Sequence, residues 1–181
     1  MLRELTKRYR TIHTGGRERR VRCSLNSMLY LEEKYIPLDK IISSDPQKWG
    51  IMTCIELVRA MSCHRKKNRK AVRDRKWNDI RPGAQRLGEE ISPEELPRLR
   101  AELLDAIFDA LPEPGEKAKS NDHAAFDEGH LRAVYVDEAG RPEREFWDST
   151  LREIDYRLDR YLEAKGVKER PVEVVMMDKD D

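Results

Sequence analysis

Residues 49–61 read WGIMTCIELVRAM and form the most apolar stretch of the chain. At about 100° per residue, the apolar positions of this stretch are spread over most of a helix circumference. A helix that is apolar on nearly all sides is a buried one. Asp45 is a good N-cap, and Pro46 suits the first helical position because its missing N–H would have no partner there. The stretch therefore predicts a central helix that begins after Asp45 and forms the middle of the core.

The remaining composition is that of a small, heavily charged protein. The chain has 181 residues, of which 38 % are apolar and 39 % are charged, against roughly 45–50 % and 25 % in an average domain. No stretch approaches the ~18 consecutive apolar residues of a membrane span, and the first residues predict no secretory signal. The three cysteines, Cys23, Cys54 and Cys63, are too few for a disulfide framework and fit a reducing compartment. These features argue against a membrane-spanning protein, a secreted disulfide scaffold and a collagen-like chain.

The two halves of the chain carry opposite charge. Residues 1–90 contain 22 Lys and Arg against 11 Asp and Glu, and residues 91–181 contain 14 against 24. The formal net charge of +1 hides this asymmetry. The halves are therefore expected to attract each other, within one molecule or between molecules, or to bind separate partners of opposite charge.

The pattern predicts an α+β fold that is mostly α-helical, with an N-terminal β-hairpin packed on a helical core and a C-terminal amphipathic helix. Gly15-Gly16 predicts the hairpin turn within residues 5–25, because Gly adopts positive φ without steric cost. Helices are predicted at 26–35 and, more briefly, at 38–43. Ser92 and Glu95 form a capping box ahead of a helix that ends at 111, and Pro97 predicts a kink in its first turn.

We predict four segments along the chain. Residues 1–111 hold the hairpin and the helical core, and residues 112–130 have the composition of a linker. Residues 131–166 form a C-terminal helical segment, in which 131–136 is either a strand or a helix end and Thr150 with Glu153 caps an amphipathic helix. Residues 167–181 form a tail that ends in acidic residues.

The sequence offers no catalytic, cofactor or metal site that we can name. Cys54 and Cys63 would face opposite sides of one helix, and the ligand spacing typical of zinc sites is absent. The four histidines lie in no nucleophile motif, and neither of the common phosphate-binding glycine loops is present. A non-catalytic protein without a cofactor is therefore expected.

A basic run is the sharpest electrostatic feature. Eight of the twelve residues from 65 to 76 are cationic, and clustered Lys and Arg release counterions from a nucleic-acid backbone. Because the second half of the chain is acidic enough to neutralise the run, a solvated helix end or a docking site for that half is the preferred interpretation. Nucleic acid is consequently not the expected partner. The candidate electrostatic contacts are Arg65, Lys66, Lys67, Arg69, Lys70 and Arg73.

Two adjacent aromatic residues, Phe146 and Trp147, precede the capped C-terminal helix. They form either a local anchor of the fold, as in a hydrophobic staple, or the aromatic anchor of a partner-binding helix. Burial of both inside the monomer would favour the anchor of the fold. The candidate partner-binding residues are Phe146, Trp147, Leu151, Ile154, Leu158 and Tyr161.

Four of these motifs resemble, in the same order, the tail assembly chaperones of long-tailed (siphovirus-type) phages and prophages. The stretch 21–33, VRCSLNSMLYLEE, is similar to the β segment and first helix of that family, and the apolar helix follows. The stretch 91–96, ISPEEL, looks like its Leu-Thr-x-Glu-Glu helix start. Phe146-Trp147-x-x-Thr150-x-x-Glu153 looks like the Phe-Trp-x-x-Thr-x-x-Glu signature near the end of many members.

The resemblance implies a non-catalytic role. Such chaperones bind the tape-measure protein, keep it soluble before tail-tube subunits polymerise around it, and leave before the virion matures. The tape-measure protein is thus the expected partner, the tail-tube protein a further candidate, and the host-cell cytoplasm the expected place of action. A homo-oligomer, a structural tail or connector protein, and a nucleic-acid-binding regulator that uses residues 65–76 remain open alternatives.

Overall fold

The computed structural model describes residues 9–34, 36, 38–111 and 128–166. The fold is α+β and mostly helical, with a two-stranded antiparallel hairpin packed on a helical core. The strands and α-helices are β1 (Arg10–Thr14), β2 (Arg17–Val21), α1 (Leu25–Glu33), α2 (Leu38–Ser43), α3 (Ile51–Ala60), α4 (Arg69–Arg73), α5 (Ala84–Glu90), α6 (Leu96–Phe108), α7 (Glu128–Arg132), α8 (Glu143–Asp148) and α9 (Leu151–Ala164). Much of the predicted linker, the whole predicted tail and the first residues of the predicted hairpin lie outside the described residues.

The hairpin forms where the glycine pair predicted it. Gly15 and Gly16 have φ of +55° and +67°, which L side chains rarely adopt, and Thr14 pairs with Arg17 across the turn. Along β2 the inward positions are Arg19 and Val21, both buried. A charged side chain therefore takes part in the inward face, a position that alternation of apolar residues did not indicate.

The predicted central helix exists, but it begins later than the sequence indicated. Asp45 caps a separate 3-10 turn at Pro46–Lys48, and its carboxylate accepts from the N–H of Gln47 at 2.9 Å. Trp49 and Gly50 are extended, and Gly50 is the N-cap of α3. From Cys54 onward α3 is almost entirely buried and contacts α1, α5 and α6. The middle of the core is thus where the apolar stretch predicted it.

Local expectations around Pro97 and residues 131–136 can also be compared with the structure. Pro97 produces no kink within α6, because α6 begins at Leu96 and Pro97 occupies its second position, where an N–H has no helical partner. Ser92 and Glu95 do form the predicted capping box, which opens a 3-10 turn ahead of α6. Residues 133–138 form a π-helical turn after α7, so of the two alternatives predicted for 131–136 the helix end is the one observed. The described helix α7 starts at Glu128, inside the range predicted as a linker.

The C-terminal helices share the core of the N-terminal segment. The N–H of Leu25 donates to the carbonyl of Ser149 at 3.0 Å, and α8 contacts α1. Tyr135, Phe146 and Ile154 are fully or almost fully buried in the same hydrophobic cluster as α3. The described parts of the N-terminal and C-terminal segments therefore pack together.

Candidate functional site

The predicted partner-binding residues divide into buried and accessible members. Phe146 and Ile154 are 0 % and 1 % exposed, and Phe146 packs against Tyr135 with ring centroids 5.7 Å apart. These two side chains anchor α8 and α9 to the core, so they are not available to a partner. Trp147, whose ring meets Phe146 edge-on, is only half-buried. The fold-anchor interpretation holds for Phe146.

The remaining predicted residues lie at the edge of the core. Leu151, Leu158 and Tyr161 are half-buried, and the Tyr161 hydroxyl donates to the carbonyl of Glu138 at 3.1 Å. The apolar stripe of α9 is thus covered toward Ile154 and more open toward its C-terminal end.

Sequence reasoning did not single out the large apolar side chains that the fold leaves exposed. Phe108 at the end of α6 is 49 % exposed and Tyr156 on α9 is 39 % exposed, and Met52 on α3 is 59 % exposed. Tyr156 lies outside the predicted stripe of α9. Periodicity alone does not reveal such exposure, because it depends on which helices pack together.

Arg152 joins the two helices that carry Phe108 and Tyr156, at the end of α6 and the start of α9. Its backbone N–H donates to the carbonyl of Ala110 at 2.9 Å, and its Nε donates to the carbonyl of Leu111 at 2.7 Å. A cation that satisfies the last carbonyls of a helix is favourable, since those groups lack helical partners. Arg152 therefore fixes the first turn of α9 at the end of α6. We call the exposed and half-buried apolar residues of these two helix ends, Phe108, Leu111, Leu151 and Tyr156, the apolar rim.

The link between the hairpin region and α9 is a buried ion pair. Arg22 donates from Nη2 to Glu153, and their side chains are 2 % and 4 % exposed. Glu153 also accepts from the N–H of Thr150 at 3.1 Å, which completes the predicted capping box. Among the described residues, Nε and Nη1 of Arg22 and Oε1 of Glu153 find no hydrogen-bond partner. The pair fixes the position of α9 at a cost in desolvation.

The basic run does not continue α3. It folds into a 3-10 turn at Lys66–Asn68 followed by α4. Asn68 is fully buried: its amide donates to the carbonyls of Ser62 and Arg81, both at 2.8 Å, and its Oδ1 accepts from the N–H of Arg81 at 2.9 Å. This side chain therefore holds the run against the turn at residue 81, and the expected solvated helix end is replaced by a fixed loop.

The cations of the run are largely unpaired within the described part of the chain. Arg73 reaches its neighbour Asp74 at 3.1 Å, and Arg75 reaches Glu33 at 3.6 Å. Among the described residues, no carboxylate lies within salt-bridge distance of the remaining cations, which are Arg65, Lys66, Lys67, Arg69, Lys70 and Lys76. Within those residues the run is therefore not docked by ion pairs to the acidic half.

Cations from outside the basic run lie close enough to Lys67 to act on its charge. Burial, and then the like charges of Arg65, Arg86, Arg19 and Arg81, lower the pKa of Lys67. Arg81 is exposed and makes no salt bridge to the described residues, and Arg86 on α5 pairs with Glu90 at 2.8 Å. We call this surface the basic face and define it as Arg65, Lys66, Lys67, Arg69, Lys70, Arg81 and Arg86.

The carboxylates of the second half contact the hairpin instead. Glu95 accepts from the N–H of Gly15 at 3.1 Å, and Glu102 accepts from the N–H of His13 at 2.7 Å. Asp109 pairs with Arg10. The expected attraction between the halves is thus realised through the hairpin and Arg22.

Cysteine, histidine and carboxylate side chains are the groups to consider for nucleophilic chemistry or metal binding. All three cysteines are buried, and burial raises the pKa of Cys23 and Cys63 to about 12, so neither is a ready nucleophile. No group of three or more His, Cys, Asp or Glu among these residues could hold a metal ion. Burial also lowers the pKa of His64 to about 4, while its Nδ1 lies 2.8 Å from the carbonyl of Met61.

Two further observations bear on the class of protein. Within the described ranges, no helix has both the length and the apolar character that crossing a bilayer requires. No family model, curated protein or solved structure matches the chain.

Proposed function

We propose that this chain is a tail assembly chaperone of a long-tailed phage or prophage, which binds an apolar helical segment of the tape-measure protein without catalysis. The apolar rim is the observation that carries the proposal. Phe108 and Tyr156 are large apolar side chains that stay exposed on the two helices joined by Arg152, and Leu111 and Leu151 at the joined helix ends are half-buried. Such a surface fits the apolar stripe of a partner helix.

The order of the four family-like motifs supports the same conclusion. In this structure the motif at 91–96 opens α6 and the motif at 146–153 contains the cap of α9. These two helices form the rim. The motifs that suggest the family therefore build the surface that we assign to the partner.

The charge of the chain suits a solubilising role. Charged residues make up 39 % of the chain, and a strongly ionic surface keeps a complex soluble when its apolar contacts are covered. An exposed apolar helix of the partner would aggregate if it remained uncovered. Covering that helix with the rim would leave a charged surface facing the solvent.

Co-expression tests the proposal. The test uses a neighbouring gene that encodes a long, helix-rich protein: the full chain is co-expressed with that protein, and the soluble yield of the protein is measured. We expect the chain to raise the yield and to co-purify with it. Phe108→Glu should abolish the effect, since loss of an interface anchor worth about 2 kcal/mol weakens binding about thirtyfold.

Met52→Glu is the matched control. Met52 is 59 % exposed on α3 and lies outside the rim, so the same change of apolar to acidic side chain should leave the soluble yield intact. The assignment would be refuted if both variants lowered the soluble yield equally. It would also be refuted if a folded Phe108→Glu variant raised the yield as much as the wild type does. Detection of the chain in purified virions by mass spectrometry would instead favour a structural tail protein.

A further inference from the structure

We propose that the basic face is a binding site for the phosphate backbone of a nucleic-acid duplex. The proposal is independent of the apolar rim. The sequence argued against such a partner because the acidic half could neutralise the run. The ion pairs that described carboxylates of that half make are with the hairpin, with Arg22 or with arginines of their own half, as Glu143 pairs with Arg132 and Glu145 with Arg157, and no such pair with the run is observed among the described residues.

The arrangement of the cations supports an anionic ligand of high charge density. Arg65, Lys66 and Lys67 lack a carboxylate partner within the described chain, and Asn68 holds this stretch beside Arg81 through two hydrogen bonds to the Arg81 backbone and a third to the carbonyl of Ser62. Bonds from Asn68 to the backbone, rather than counter-charges, therefore hold these cations beside Arg81. An extended polyanion would supply the missing negative charge and gain entropy through counterion release.

The absence of exposed apolar groups distinguishes this site from a protein-binding surface. Protein interfaces generally have an apolar core that includes anchoring aromatic residues. The large hydrophobic side chains that are exposed among the described residues are Met52, Phe108 and Tyr156, and none lies in the basic face. An acidic protein segment would find charge here but no apolar anchor.

The residues of the basic face favour a nucleic-acid duplex over a single strand. They also predict contacts that do not depend on the base sequence. Proteins that bind single strands stack bases on aromatic side chains. Trp77, the aromatic residue next to the run, is only 8 % exposed and packs edge-on against Tyr30. Contacts from Lys and Arg to phosphates position a protein on a duplex and carry no direct sequence information.

A salt titration with matched charge variants tests the proposal. Binding of the full chain to a fluorescein-labelled duplex DNA of about 20 base pairs is followed by anisotropy at several salt concentrations. With about four phosphate contacts, the affinity should fall about a hundredfold between roughly 50 and 200 mM salt. The variant Lys66→Gln/Lys67→Gln/Arg81→Gln should reduce the slope of log affinity against log salt by about three.

The control variant, Lys40→Gln/Lys48→Gln/Arg141→Gln, removes the same charge from exposed positions outside the basic face. It should retain at least half of the wild-type affinity for the duplex. Equal weakening by both variants would overturn the proposal, because net charge alone would then account for binding. Tighter binding of a polyglutamate peptide of equal charge would also overturn it, in favour of an acidic protein segment.

Discussion

The hairpin region and the basic face are both rich in arginine and lysine, yet the fold uses their charges differently. Arg19 and Arg22 are buried and pair with Glu90 and Glu153. Lys66 and Lys67 are exposed and have no carboxylate partner in the described chain. The first set fixes one element against another, and the second set contributes little to the fold. Charges that folding leaves unpaired are the ones that remain available to a ligand.

Removal of Arg22 should produce the largest effect. Arg22→Met leaves the carboxylate of Glu153 buried without its counter-charge, and breaking such a pair costs about 3–5 kcal/mol. Urea unfolding measures the loss as a lower midpoint. The double variant Arg22→Met/Glu153→Gln should recover much of the stability, because a neutral amide needs no counter-charge. A single variant as stable as the wild type would show that the pair does not hold α9 in place.

Arg69→Met is the control from the basic face. Arg69 is exposed and pairs with no described carboxylate, so its replacement should change the free energy of unfolding by less than about 0.5 kcal/mol. If Arg22→Met and Arg69→Met lowered the free energy of unfolding by similar amounts, the two sets of cations would not differ in their contribution to the fold.

A pH titration should give a smaller effect that arises at the border between the two regions. Burial lowers the pKa of His64 from 6.5 to about 4. The unfolded chain therefore binds more protons than the folded chain below pH 6.5. The free energy of unfolding decreases as the pH is lowered from 6.5 to about 4. The expected loss between about pH 6.5 and pH 5 is about 1–2 kcal/mol, reduced by the partial exposure of the ring. Asp148, Arg22 and Arg65 are the charged groups that act on this ring, which also packs against Tyr9.

His64→Asn isolates this contribution. The Asn amide can replace Nδ1–H as donor to the carbonyl of Met61 but has no protonation step in this range. The unfolding free energy of the variant should vary less between about pH 6.5 and pH 5. The carboxyl groups of Glu90 and Glu95, whose pKa values are lowered, remain ionised across this window. An unchanged slope would mean that His64 is not the titrating group.

The sequence predicted those features of the fold that have a local cause. The central helix follows from the periodicity of 51–61, the hairpin turn from two glycines, and the cap of α9 from Thr150 and Glu153. Each of these features depends on residues that are close together in the chain, so the sequence pattern alone is sufficient to predict it. The boundary at Gly50 was missed because Asp45 caps a separate turn instead of α3.

The site could be predicted only in part, because it depends on distant contacts. Arg22 and Glu153 are 131 positions apart, and no spacing rule links them. Phe108, which ends α6, is 49 % exposed, and the amide of Asn68 places Arg81 beside the basic run. The sequence drew attention to the basic run and to the aromatic pair, whereas the residues that contact them became visible only in the fold.

The smallest predicted effect is also the most direct test of the difference between the two sets of cations. If the charge of Lys67 faces only other cations, Lys67→Gln should leave stability unchanged or raise it, by no more than about 0.5 kcal/mol because solvent screens exposed charges. The gain should disappear at high salt, and Lys40→Gln, at an exposed position outside the basic face, should show none. Urea unfolding at low and high salt provides the measurement. A loss of about 1 kcal/mol or more would instead mean that the fold needs this lysine, so that the basic face would be structural like the hairpin.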